Sequence, residues 1–240
     1  MTSRLQTSTR APHSLPQHTP DYPALLARIA DPPPRLWLRG DPRALAAPCV
    51  AIVGSRAASA YGVRVAEQLA ADLARAGVTV VSGLARGIDS AAHRGALAAA
   101  PSGGRTVAML GSGVDVIYPP EHEELAERIL DAHGALVSEL PPGSPPRRGH
   151  FPRRNRLISG VSLAVVVVEA SLRSGSLQTA RFALDQGREV LAVPGPILGE
   201  RFSGSHGLLR DGAKLVESAS DILEELLWPD PSPFPLLHGK

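Results

Sequence analysis

VAIVGSRAASAYGVRVAEQLAADLARAGVTVVSG, residues 50–83, decides the fold. VAIVG (50–54) has the length and β-branched content of a buried strand. Ser59 to Ala76 then sets Val63, Ala66, Leu69, Ala70 and Leu73 on one face of a helix, and VTVVS (78–82) is a second apolar run. A strand, a helix and a strand in succession argue for parallel pairing through a crossover.

The same alternation continues outward. TVAML (106–110), ALVSE (135–139), AVVVV (164–168) and EVLAV (189–193) read as further strands, with helices from Asp89 to about Ala100 and near 119–132, 174–186 and 218–227. Upstream, Asp21 to Ala30 reads as a short helix around Leu25, Leu26 and Ile29. Leu36 and Leu38 flank Trp37 in an edge-strand-like piece after three prolines. The expected class is α/β, a doubly wound, mostly parallel sheet with helices on both faces. In such folds ligands lie beyond the carboxyl ends of the strands. There this chain places Gly54-Ser55-Arg56, Ser82-Gly83, Gly111-Ser112-Gly113 and Pro194-Gly195.

Bulk composition bounds the rest. A chain of 240 residues, 43% hydrophobic and 20% charged, can bury one sizeable core. No apolar run approaches the roughly 18 residues of a membrane span. The first twenty residues are polar without the apolar core of a secretory signal, so residues 1–20 are expected as a disordered tail and the location as cytoplasmic. Cys49 is the single cysteine, which excludes an internal disulfide, and it suits a small buried side chain. Of the 25 basic residues only Lys214 and Lys240 are lysine, and a sequence pI near 9.0 permits a nucleic-acid partner.

HFPRRNRLIS (150–159) concentrates that charge, with Arg153, Arg154 and Arg156 beside Phe151 and with Arg147 and Arg148 just before. No acid occurs between Glu139 and Glu169, so the local field is positive. Leu157, Ile158 and the buried run that follows tether these arginines to the core. Phe151 either stacks on a base or plugs the core.

The glycine-rich turns supply candidate anion contacts. Gly54 lets backbone approach a phosphate at the start of the following helix, and Arg56 adds a charged fork. An ordinary strand-to-helix turn is the competing reading. In SGLARGID (82–89), Gly83 and Gly87 precede a helix, Gly87 supplying a conformation that other residues resist. Asp89 and His93 read there as a cap and a cover. Ser174-Gly175-Ser176 with Thr179 forms a third hydroxyl-rich helix start, for which a plain serine cap competes. Three such starts on one sheet edge would make a donor-rich pocket. Glu169, ending AVVVV, is expected to bond backbone N–H groups rather than to catalyse. The histidines and Cys49 lack metal-ligand spacing, and neither a G-x-S-x-G elbow nor a Walker-type loop occurs. No metal and no cofactor are expected.

VAIVGSR, SGLARGID, HFPRRNRLIS, VVVEA followed by SGSLQTA, and VLAVPG, in this order, resemble the DNA-processing protein A family (DprA, also called Smf), over roughly residues 21 to 227. The resemblance implies a Rossmann-like domain that binds single-stranded DNA, as a homodimer, and helps load a RecA-type recombinase onto DNA taken up in natural transformation. It assigns Gly54, Ser55 and Arg56 to a phosphate-binding pocket and Phe151, Arg153, Arg154, Asn155 and Arg156 to the neighbouring basic stretch. The expected organisation is a disordered tail (1–20), a short extension packing on the core (21–45), the Rossmann-like DNA-binding domain (46–228) and a C-terminal tail (229–240). Residues 1–45 are too short for the whole helical domain that many members carry before this core. Nothing after Trp228 matches their winged helix. His206 stands where asparagine is expected in many members. The alternative, a nucleoside monophosphate phosphoribohydrolase-like enzyme, would want an acid after its glycine-rich helix start, whereas SGSLQTARFALD has none before Asp185.

Overall fold

The computed structural model describes residues 9–226. Residues 1–8 of the expected tail and the whole of 229–240 lie outside the described residues. Strands β1 (Thr9–Pro16), β2 (Arg35–Gly40), β3 (Cys49–Val53), β4 (Thr79–Ser82), β5 (Thr106–Met109), β6 (Ala135–Ser138), β7 (Ala164–Val167), β8 (Glu189–Ala192) and β9 (Lys214–Leu215) join in one sheet. Its order is β1-β2-β6-β5-β4-β3-β7-β8-β9. From β6 to β9 every neighbour is parallel, while β1 and β2 run antiparallel.

Helices α1 (Ala60–Arg75), α2 (Ile88–Ala98) and α3 (Glu123–Asp131) connect β3 through β6 on one face. Helices α4 (His150–Gly160) and α5 (Ser176–Asp185) cover the other, bringing Leu157, Ile158, Ala180 and Ala183 onto Val53, Val165 and Val167. Helix α6 (Ser203–Arg210) joins β8 to β9, and α7 (Ala219–Glu225) returns to the α1 face with Ile222. Strand order reverses between β3 and β7, so their carboxyl ends diverge into a crevice. This is the Rossmann-like, doubly wound sheet.

Three local expectations need correction. The supposed disordered tail contains β1, which pairs Ser14 with Trp37 and Leu15 with Leu36. Backbone pairing and burial of Leu15 order a segment whose composition carries no periodicity. Consequently β2 is interior rather than an edge, lying between β1 and β6. The expected helix at 21–30 shrinks to a single 3-10 turn at Leu26–Arg28. Leu26 and Ile29 nevertheless pack in the core beside Leu157 and Ile158. Cys49 is buried, and burial pushes its thiol up to about 12.

Candidate nucleic-acid interface

The crevice between β3 and β7 holds a cleft of about 450 Å³. Gly54, Ser55, Arg56, Phe151, Arg154, Asn155, Ser174, Gly175, Ser176 and Thr179 line it. Gly83, Gly87, Arg153 and Arg156 do not. Sequence reasoning missed Ser171 and Gln178 on the α5 wall, and Ala85 and Pro152. Ser171 lies three residues before SGSLQTA and Gln178 within it, so carrying the site from the end of β7 through the first turn of α5 would have found them.

The turn after β3 is fixed from beneath. Ser55 N–H donates to the Glu169 carbonyl at 2.7 Å, and Ile88 N–H donates to the Ser55 carbonyl at 3.1 Å. A Cβ on Gly54 would meet Ile88 at 2.6 Å and the Glu169 carbonyl at 2.8 Å, so this glycine serves close packing of the turn. Gly87 has φ +74°, and a side chain there would strike the Ser55 carbonyl. That backbone contact is the reason for the glycine.

The three helix starts are not equivalent. At α1 the Glu169 carboxylate accepts from Ser59 N–H at 3.0 Å, while Ser59 Oγ accepts from Gly62 N–H at 3.1 Å. This buried acid fills the dipole end that sequence reasoning offered to a phosphate, and it matches the expected backbone role of Glu169. At α2 the Asp89 carboxylate accepts from Gly83 N–H at 3.1 Å and Ala85 N–H at 3.3 Å. It lies inside the first turn, with Gly87 at the N-cap. Only α5 opens into the cleft without an acid. Ser174 and Ser176 hydroxyls lie 2.7 Å apart there, and Ser174 Oγ also accepts from the Ser176 N–H at 3.4 Å. His93 is buried beneath, 2.7 Å from Thr106 Oγ1, and burial lowers it to about 3.

HFPRRNRLIS forms the first ten residues of α4. Pro152 is tolerated because a first-turn N–H needs no intrahelical partner. Helical phase then separates the arginines. Arg153 points outward, its side chain 61% exposed and 3.2 Å from Glu139. Arg154 is 4% exposed, lies on the cleft floor, and its Nη1 donates to the Gly83 carbonyl at 2.8 Å and to the Met109 carbonyl. Among the described residues no ion pair joins it to an acid, and its buried Nε has no hydrogen-bond partner. Burial lowers its guanidinium to about 10, against the favourable charge of Asp89. Burial also raises the Asp89 carboxyl, with Arg154 opposing.

Arg156 faces away from the cleft. Its Nη2 lies 2.8 Å from Glu139 and its Nε 3.2 Å from Asp31. The acid at the border of the acid-free interval therefore folds back onto two of the arginines, which narrows the positive field expected of the whole stretch. Phe151 is half-buried at the rim, its ring 5.4 Å from Tyr118 with the Arg56 guanidinium 5.8 Å above it. Asn155 Nδ2 donates to the Gly175 carbonyl at 3.4 Å, linking the α4 and α5 walls. His206 Nε2 lies 3.1 Å from the Gly195 carbonyl, away from the cleft lining.

The family model for DNA recombination-mediator protein A matches residues 13–227. Protein Smf of Escherichia coli is 49% identical over 89% of this chain and 56% of its own length. DNA processing protein DprA of Streptococcus pneumoniae is 45% identical over 85% of this chain and 71% of its own. The chain thus spans little more than half of the first relative. The X-ray structure of the pneumococcal protein superposes with a TM-score of 0.84 at 41% identity, covering 92% of this chain and 76% of that one. DNA processing protein A of Helicobacter pylori, described for its single-stranded DNA binding mode, gives 0.78 at 29% identity over 92% and 98%. With the family model spanning nearly the whole described fold, and with a TM-score of 0.84 to the pneumococcal structure, the chain belongs to the DNA recombination-mediator protein A family.

Proposed function

We propose that the cleft binds single-stranded DNA, and that the chain, as a cytoplasmic homodimer, uses this to load a RecA-type recombinase onto DNA taken up in natural transformation. One observation carries the reading: a buried guanidinium without an ion-pair partner, Arg154, on the floor of a cleft whose wall is the hydroxyl-rich start of α5. Such a floor favours an anion, because a buried cation lacking an acid gains from one. Arg56 and Phe151 at the rim offer a phosphate contact and a base platform side by side. The single-strand binding of the Helicobacter relative supports the same substrate.

In this reading the site binds without breaking bonds. Asp89, the acid in the cleft lining, is engaged by two backbone N–H groups, and Glu169 by Ser59. This arrangement weighs against the hydrolase alternative. Titrating oligo-dT at several salt concentrations tests the proposal. About three phosphate contacts give a slope of roughly 2 in log affinity against log salt. Arg56→Ala weakens binding while thermal melting stays unchanged. A flat salt dependence, or equal binding by the variant, refutes the assignment.

A further inference from the structure

A strand held in the cleft must continue past it, and the turn between β7 and α5 bears the chemistry to receive it. We infer that this turn is an exit lip: Arg173 takes the next backbone phosphate, and Leu172 covers an unstacked base. The inference rests on the single-strand reading of the cleft. Ser174 N–H donates to the Ser171 carbonyl at 3.0 Å, closing a tight turn with Leu172 and Arg173 at its tip. Both serines line the cleft, so the tip follows directly from its wall.

The turn is braced from behind. Leu172 N–H donates to Ser203 Oγ at 3.3 Å, and Gly204 N–H to the Ala170 carbonyl at 2.8 Å. A contact presented from a fixed turn loses little entropy on binding. Arg173 is exposed and forms no ion pair among the described residues. Its charge is therefore free to extend the positive field of Arg56 and Arg154 along one direction. Leu172 is 70% exposed. An apolar side chain left uncovered next to a cation in the chain suits a base and a phosphate of the same strand.

Binding of a thymidine dinucleotide and of a long oligo-dT to Arg173→Ala separates the lip from the cleft. The variant is expected to bind the dinucleotide as the parent does, and to lose about tenfold on the long strand. Its salt slope falls by roughly 0.7. Arg173→Lys restores much of the loss. Arg210→Ala, at the other end of α6, changes nothing. Leu172→Ser weakens only long-strand binding and leaves the mass in solution unaltered; a change in mass would make this surface a protein contact and overturn the inference. Unchanged long-strand binding by Arg173→Ala, alongside loss of both ligands in Arg56→Ala, overturns the lip and spares the cleft. Parent-like binding by Arg56→Ala sinks the cleft reading, and the lip with it.

Discussion

Arg154 and Arg156 leave the same helix two positions apart, and both are buried, yet their surroundings differ in kind. Arg156 meets two carboxylates and ties α4 to the N-terminal arm through Asp31 and to the end of β6 through Glu139. Arg154 meets backbone carbonyls, with Asp89 near but not paired. A buried charge with matched acids is consumed by the fold. One held by neutral groups retains field for something outside it.

Removing a partner from a buried pair is the severest way to test that contrast. Arg156→Ala strips the buried Glu139 of its closer partner and leaves it only the exposed Arg153 at 3.2 Å, at a cost of about 2–3 kcal/mol in stability. Denaturant unfolding checks this, and a cost of less than about 1 kcal/mol would erase the distinction. Phe151→Ala is expected to cost about 1–3 kcal/mol in oligo-dT binding with the melting temperature preserved. Collapse of the fold instead would make Phe151 a plug.

Asp89→Asn gives the smallest effect. It neutralises the acid nearest Arg154 while keeping an oxygen for the Gly83 and Ala85 amides, so oligo-dT binding tightens about threefold. A pH titration sharpens the same point. Because burial raises the Asp89 carboxyl, the folded state holds its proton more tightly than the unfolded chain. Stability is then fullest below the ordinary aspartate value of 3.8 and declines as pH rises through the raised one. Asp89→Asn removes that decline.

The β3–α1–β4 unit was legible because apolar runs and a 3.6-residue stripe carry their own geometry. In HFPRRNRLIS the buried residues are Arg154, Arg156, Leu157, Ile158 and Ser159, so three of the five read as polar. No hydrophobic period can reveal such a helix, nor tell which arginine enters the cleft. Strand β1 escaped for a different reason: TRAPHSLP owes its order to pairing with β2, which lies well beyond any local window. Helix α6, SGSHGLLR, hides behind two glycines. At the site, the glycines were legible as points of close approach, but not what approaches them. At Gly54 it is Ile88 and Glu169; at Gly83 it is the Arg154 guanidinium and Asp89.

The clasp between Ser59 and Glu169 joins positions 110 apart in the chain. Until β7 has been synthesised and inserted beside β3, Ser59 keeps its local cap on Gly62 but lacks the carboxylate that accepts from its own N–H, and the cleft lacks one wall. Long-range closure of this kind slows folding, since loop entropy is spent before the contact forms. A nascent chain emerging from the ribosome therefore has no complete cleft through most of its synthesis, and closes one only when β7 and the start of α5 behind it have docked.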